Sequence, residues 1–303
     1  MNAATPVQNL ESYLEACTER YTACLDSIPT TVTFSGFTST ARFHYLKLDA
    51  NGRPRWQDLA KNLADHIISY CFAVKKRPGN RSDLDTLALR REAKDFFREE
   101  NRSGEAGETL LYFLQEAVLR APQIVSKISL KTNPKLETFG SDGIHVKWHE
   151  ADGKLDLYFG EAKLYKTLGA AATEAVKSIL GFHKNGMEDF EVRMVTRHFK
   201  HADGPTKEAV LDYVKGGSSA KTVRINHACL LGYNSESYSL LPHGGDGDLE
   251  QIFRDGYEAH VDELRKTLAT RFSKFAKMRL GFEIFVLPFT SVDEFRKAFL
   301  EAL

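Results

Sequence analysis

The stretch that most restricts the fold of this chain is residues 135–166, KLETFGSDGIHVKWHEADGKLDLYFGEAKLYK. Residues 143–149 alternate Ile144, Val146 and Trp148 with His145, Lys147 and His149. Leu155, Leu157 and Phe159 then alternate with Asp156, Tyr158 and Gly160. A period of two is that of a β-strand. Between the runs stands Ala151-Asp152-Gly153-Lys154, whose Asp-Gly pair tolerates the positive φ of a tight hairpin. The return strand ends in Glu161-Ala162-Lys163. Residues i and i+2 of a strand share a face, so Glu161 and Lys163 project to one side. The hairpin places Asp142, at the mouth of the first strand, near the same end. Two carboxylates and a lysine converging on one sheet edge form a hard-metal site with a cation beside it.

Around this hairpin the pattern predicts alternating helices and strands. Residues 1–28 read as helical, with Leu10, Tyr13, Leu14, Cys17, Tyr21 and Cys24 on one side. Residues 30–37 and 41–48 read as two strands rich in Thr, Val and aromatics. An amphipathic helix is expected over 56–74, a loop over 75–83 and a further helix over 84–100. Ser103-Gly104 breaks that helix, and another over 105–120 carries Leu110, Leu111, Leu114 and Val118 as its buried stripe until Pro122 stops it. A strand over 123–131 precedes the hairpin, and a helix of small residues over 166–185 follows it. Two helices are expected within 187–215 (with 191–195 an alternative strand), then a strand over 223–232. One long helix or two fill 249–278, followed by a buried strand over 280–288 and a last helix from 293. The order points to an α/β fold, a mixed central sheet flanked by helices.

With 303 residues, the chain has room for one large domain or two smaller ones. The N-terminal segment has neither the basic nor the apolar region of a signal peptide, and no run has the length of a membrane span. The four cysteines (Cys17, Cys24, Cys71, Cys229) show no CxxC spacing and fit reduced thiols in a cytoplasmic protein. Lys+Arg and Asp+Glu both number 41, so net charge gives no support to nucleic-acid binding, although local basic clusters occur.

An acidic-x-Lys triplet is weak alone, since Glu92/Lys94 and Asp152/Lys154 share the spacing. The first pair falls on a helix, where i and i+2 point apart, and the second in the turn itself. Only Glu161 and Lys163 end an apolar strand, with Gly140-Ser141-Asp142-Gly143 on its neighbour. Asp142, an eighteen-residue spacer and Glu161-Ala162-Lys163 resemble the PD-(D/E)xK nuclease superfamily over roughly residues 105–232. The resemblance implies a restriction-endonuclease-like core in which Asp142 and Glu161 hold Mg²⁺ and Lys163 orients or activates the attacking water. Ser141 stands where that motif usually has Pro. Such nucleases also carry a Glu near the start of the preceding helix, for which Glu108, followed by Leu111 and Tyr112 at inward spacing, is the first candidate and Glu105 the next. Acidic residues in a first helical turn also suit the helix dipole.

More narrowly, Gly-Glu-x-Gly-Glu-x-Leu before the Ser-Asp-Gly hairpin and Gly-Glu-x-Lys resembles the nuclease subunit of Hachiman anti-phage defence systems. That resemblance implies DNA as substrate and a superfamily 2 helicase subunit as partner. It divides the chain into an N-terminal α/β extension (1–100), a nuclease-like core (101–235) and a C-terminal helix-strand-helix segment (236–303). The chain has no GxxxxGK[ST] motif and is not itself the ATPase. Carboxylate donors favour Mg²⁺ or Mn²⁺ over softer metals. The rival from another class is a non-catalytic DNA-binding or regulatory subunit that uses a nuclease-like fold.

Other motifs read as ordinary structure. His145/His149 and His198/His201 lack a third soft ligand, so they are expected to be surface or DNA-facing histidines rather than zinc ligands. Gly244–Asp248 lacks the ligand ladder of a calcium loop and reads as a loop ending in a helix N-cap.

Overall fold

The computed structural model describes residues 10–33, 39–73, 77, 82–97, 104–126, 128, 140–186, 208, 223–242, 248–276, 278 and 280–303. Among them are eight α-helices: α1 (Thr18–Cys24), α2 (Trp56–Asp65), α3 (Ile67–Cys71), α4 (Asp83–Lys94), α5 (Glu105–Ala117), α6 (Leu168–Lys184), α7 (Leu249–Phe272) and α8 (Val292–Ala302). Seven strands accompany them: β1 (Leu25–Thr33), β2 (Ser39–Leu46), β3 (Gln123–Ser126), β4 (Gly143–His149), β5 (Lys154–Tyr165), β6 (Val223–Asn234) and β7 (Gly281–Phe289). They form one sheet in the order β1-β2-β7-β6-β5-β4-β3. The central strands β2, β7, β6 and β5 are parallel neighbours, and the flanking pairs β1/β2, β5/β4 and β4/β3 are antiparallel. The expected mixed α/β sheet is therefore present.

The hairpin has the register that its alternation dictates, with Ile144 opposite Phe159 and His149 opposite Lys154. Gly153 supplies the positive φ of the turn, at 61°. Helix α5 covers one face of β5: a Cβ on Gly107 would meet the Leu164 side chain at 3.2 Å, and one on Gly160 would meet Leu111 at 3.3 Å. Helix α6 covers the other, where Phe182 packs on Phe159 with ring centroids 5.1 Å apart. The small residues Ala171, Ala172 and Ala175 of α6 are buried and allow its close approach.

Several boundaries differ from the sequence expectation. The first helix ends at Cys24 instead of reaching residue 28, because Leu25 already pairs with Leu46 in the sheet. The register of β1 shifts between Ser27 and Thr31, around Pro29, which has no N–H to give to a ladder. The helix expected over 56–74 is two. At His66 the ring Nδ1 lies 2.7 Å from the Asn62 carbonyl, while the backbone N–H tightens onto Leu63. The strand expected over 123–131 is described as β3 alone, and 187–207 and 209–222 lie outside the described residues. From Leu249 one long helix runs to Phe272, and Asp248 caps it by accepting from the Gln251 N–H at 3.1 Å. All four cysteines are free thiols. No helix among the described residues is long and apolar enough to cross a membrane.

Candidate active site at the edge of strand β5

Asp142 is held to β5 by two backbone contacts. Its N–H donates to the Gly160 carbonyl at 2.8 Å, and its Oδ2 accepts from the Ala162 N–H at 2.7 Å. The carboxylate thereby takes the place of the next ladder bond that β4 would make, just where β4 runs out. Gly140, at φ 120°, turns the chain into this position. Asp142 is buried.

Glu161 and Lys163 follow on β5, with Lys163 Nζ 2.5 Å from Glu161 Oε1. By strand alternation their side chains lie on the face opposite Ala162 and Leu164, that is, opposite α5. Burial disfavours the Lys163 ammonium, but the Glu161 carboxylate, with its hydrogen bond, and then Asp142 and Tyr165 outweigh it and raise the Lys163 pKa above the ordinary lysine value. Cys229, paired in register with Glu161 on β6, is fully buried. Its thiol is pushed well up by burial and then by Glu161, so it stays protonated beside the pair.

Glu105 and Glu108 stand in the first turn of α5. Glu105 is buried and Glu108 half-buried, its Oε1 folded back so that a Cβ on Gly104 would lie 3.3 Å away. Both, with Asp142, act on Tyr70, whose phenol pKa is raised well above its ordinary value by burial first and then by Glu108, Asp142 and Glu105. Tyr70 Oη is buried and without a hydrogen-bond partner among the described residues. Asp142 thus belongs electrostatically to both groups: to Lys163 and Cys229 on one side, and to Tyr70 with the helix carboxylates on the other. The structure brings Asp142, Glu161 and Lys163 together at the end of β5, and places Glu105 and Glu108 in the first turn of α5, where they and Asp142 act on Tyr70. Among the described residues no three His, Cys, Asp or Glu side chains are grouped closely enough to hold a metal ion. The oxygen donors of Asp142 and Glu161 are of the hard kind that suits Mg²⁺ or Mn²⁺.

Sequence reasoning did not find Tyr70, Cys229 or Arg296. Arg296 of α8 donates from Nη2 to the Leu164 carbonyl at 2.7 Å, one residue past Lys163. No local signal marks these three, because each comes from an element distant in sequence. The histidine expectation is corrected for His145. It is fully buried against Tyr112 with Nδ1 2.8 Å from the Ala121 carbonyl, because its face of β4 turns into the core under α5. His149, half-exposed, lies 2.7 Å from Asp156. His198 and His201 lie outside the described residues.

No curated protein matches the chain. The family model described as HamA matches residues 23–303, nearly the whole length, and the chain therefore belongs to the HamA family, a component of Hachiman antiviral defence.

Proposed function

We propose that this protein is a metal-dependent DNA nuclease of the PD-(D/E)xK type, the effector of a two-component anti-phage complex activated by a helicase partner. The observation that carries the reading is the meeting of Asp142, Glu161 and Lys163 at the point where β4 leaves β5. A pure scaffold has no use for a buried carboxylate capping the strand beside a second carboxylate and an ammonium.

Asp142 and Glu161 are the residues that would hold Mg²⁺ or Mn²⁺. Such an ion neutralises charge on a phosphodiester and makes a bound water acidic enough to act as a nucleophile. Asp142 contributes a fixed oxygen, because one of its carboxylate atoms is already anchored on the Ala162 N–H. Glu161 contributes a carboxylate whose present partner is Lys163. Lys163, whose ammonium is favoured by Glu161 beside it, is the positive group that would orient the water and the phosphate. Cys229, beside Glu161 on β6, is uncharged and adds no competing charge to this arrangement.

Cleavage of plasmid and linear DNA with Mg²⁺ tests the reading. Wild type and the double variant Glu161→Ala/Lys163→Ala would each be assayed with and without the co-expressed helicase neighbour and ATP. The expected result is cleavage that depends on the neighbour and falls at least about 100-fold in the variant. Equal cleavage by the variant would remove the chemistry from this hairpin. A wild-type complex that neither cuts DNA nor binds Mg²⁺ in a calorimeter would leave the non-catalytic reading in its place.

A further inference from the structure

We infer that Arg296 is a positioning residue for the Glu161/Lys163 pair, acting through the main chain of β5; its effect on cleavage rests on the nuclease reading above.

Gly160 and Ala162 direct their peptide groups toward β4, where Asp142 meets both. By the two-residue repeat of a strand, Leu164 directs its carbonyl to the same edge. Ile144 pairs with Phe159, so β4 has run out by this point, and among the described residues no strand pairs with that edge beyond Ala162. The strand end that carries Lys163 is thus held by a ladder to β6 on one edge alone, and it frays more readily than a strand paired on both edges.

Arg296 closes this gap. Its Nη2 donates to the Leu164 carbonyl at 2.7 Å and its Nη1 to Asp293 at 2.8 Å, with the side chain 15% exposed. The base of the guanidinium is rigid. Val292, Phe295 and Phe299 of α8 are buried in the core, and the Val292 N–H is fixed to Asn234 at the end of β6 at 2.9 Å. Leu164 is also held by its side chain, wedged against Gly107 of α5 and Gly232 of β6. The Leu164–Tyr165 peptide, one residue beyond Lys163, is therefore gripped from α8, and the Leu164 side chain from α5 and β6. Alternation then fixes the direction in which Glu161 and Lys163 leave the strand.

The test uses the full chain. Arg296→Gln removes the charged donor, Arg296→Lys retains one, and Asp293→Ala breaks only the exposed contact. Amide exchange over residues 163–166 is expected to accelerate at least about tenfold in Arg296→Gln, with exchange in β6 unchanged and protection partly restored in Arg296→Lys. In the DNA assay with the helicase neighbour, Arg296→Gln is expected to lose about 10–100-fold in kcat with KM for DNA little changed. Asp293→Ala is expected to match wild type in both. Unaltered exchange at 163–166 in Arg296→Gln would overturn the inference, as would a normal kcat in a complex that cuts DNA. If Arg296→Gln unfolds, Arg296→Lys decides: faster exchange at 163–166 and a lowered kcat with β6 intact support the clamp, and wild-type exchange and kcat overturn it. Faster exchange in Arg296→Gln, with a wild-type complex that cuts no DNA, would sink the nuclease reading and leave the clamp standing.

Discussion

At the scale of single residues, a buried and fully engaged charge lies away from the candidate site. Glu116 is fully buried, and its carboxylate accepts from the N–H groups of Glu15 at 2.7 Å, Ala16 at 2.9 Å and Gln123 at 3.1 Å. One side chain thus ties the N-terminal segment and β3 to the end of α5. Glu116→Gln places an amide N–H where only acceptors are useful and is expected to cost about 1–3 kcal/mol in urea unfolding. His44 and His227 make stability depend on pH on the acid side. Burial, then Arg42 for His44 and His183 for His227, depresses both pKa values to about 3. A depressed histidine pKa means that the neutral ring is the folded form. The stability it contributes is complete above the unfolded value of about 6.5 and is lost as pH falls toward 3. Each ring adds a slope of about 1.4 kcal/mol per pH unit in that window, because one proton is taken up on unfolding. His227→Phe is expected to remove its share of that slope in denaturant titrations at stepped pH, whatever it does to stability at neutral pH. An unchanged slope would mean that His227 is protonated in the folded state.

At the scale of elements, α5 and the end of β5 are fitted to one another by glycines. A Cβ on Gly107 would press on Leu164 at 3.2 Å and on Ala162 at 3.4 Å, and one on Gly232 would collide with Leu164 outright and meet Phe289 at 3.0 Å. Gly232→Val is therefore expected to cost about 1–3 kcal/mol by overpacking and to loosen the strand that carries Lys163. Thermal unfolding measures the first effect and amide exchange at residues 163–166 the second. How much of this was legible in the sequence follows from where the information resides. The hairpin, its turn and its three charged groups were readable because strand alternation and Asp-Gly are local signals. Helix α6 was readable from its small residues. The end of α1 was not, because Leu25 and Ile28 suit a helix face and a strand equally well until β2 is there to pair with. The break at His66 depends on a ring turning back to the Asn62 carbonyl, which no periodicity records. The grip of Arg296 on Leu164 joins residues 132 apart in sequence and had no local trace.

At the scale of the whole molecule, the sheet order binds the two ends of the chain to its middle. β2, from the first fifty residues, pairs in parallel with β7, from the last twenty-five, and β7 pairs with β6 beside the strand of the candidate site. The three segments delimited in the sequence thus contribute strands to one sheet. Arg42 of β2 and Glu283 of β7 add an ion pair across the joint, and the α8 residues Phe295 and Phe299 are buried in the same hydrophobic cluster as Leu59 and Leu63 of α2. A strand in the middle of a sheet cannot be removed without exposing two ladders and the apolar side chains of Ile284, Phe285, Val286 and Leu287. Unfolding of the full chain is therefore expected to be one cooperative transition, with the calorimetric enthalpy equal to the van't Hoff enthalpy. Residues 101–235 produced alone are expected to remain unfolded or aggregate. A soluble 101–235 fragment with native-like amide protection in β5 and β6 would refute this, and would mean that the hairpin and its partners carry a self-sufficient core. The same cooperativity has a consequence for function: a partner that grips either end of the chain pulls on β2 or β7, which connect through β6 to the strand that holds Glu161 and Lys163.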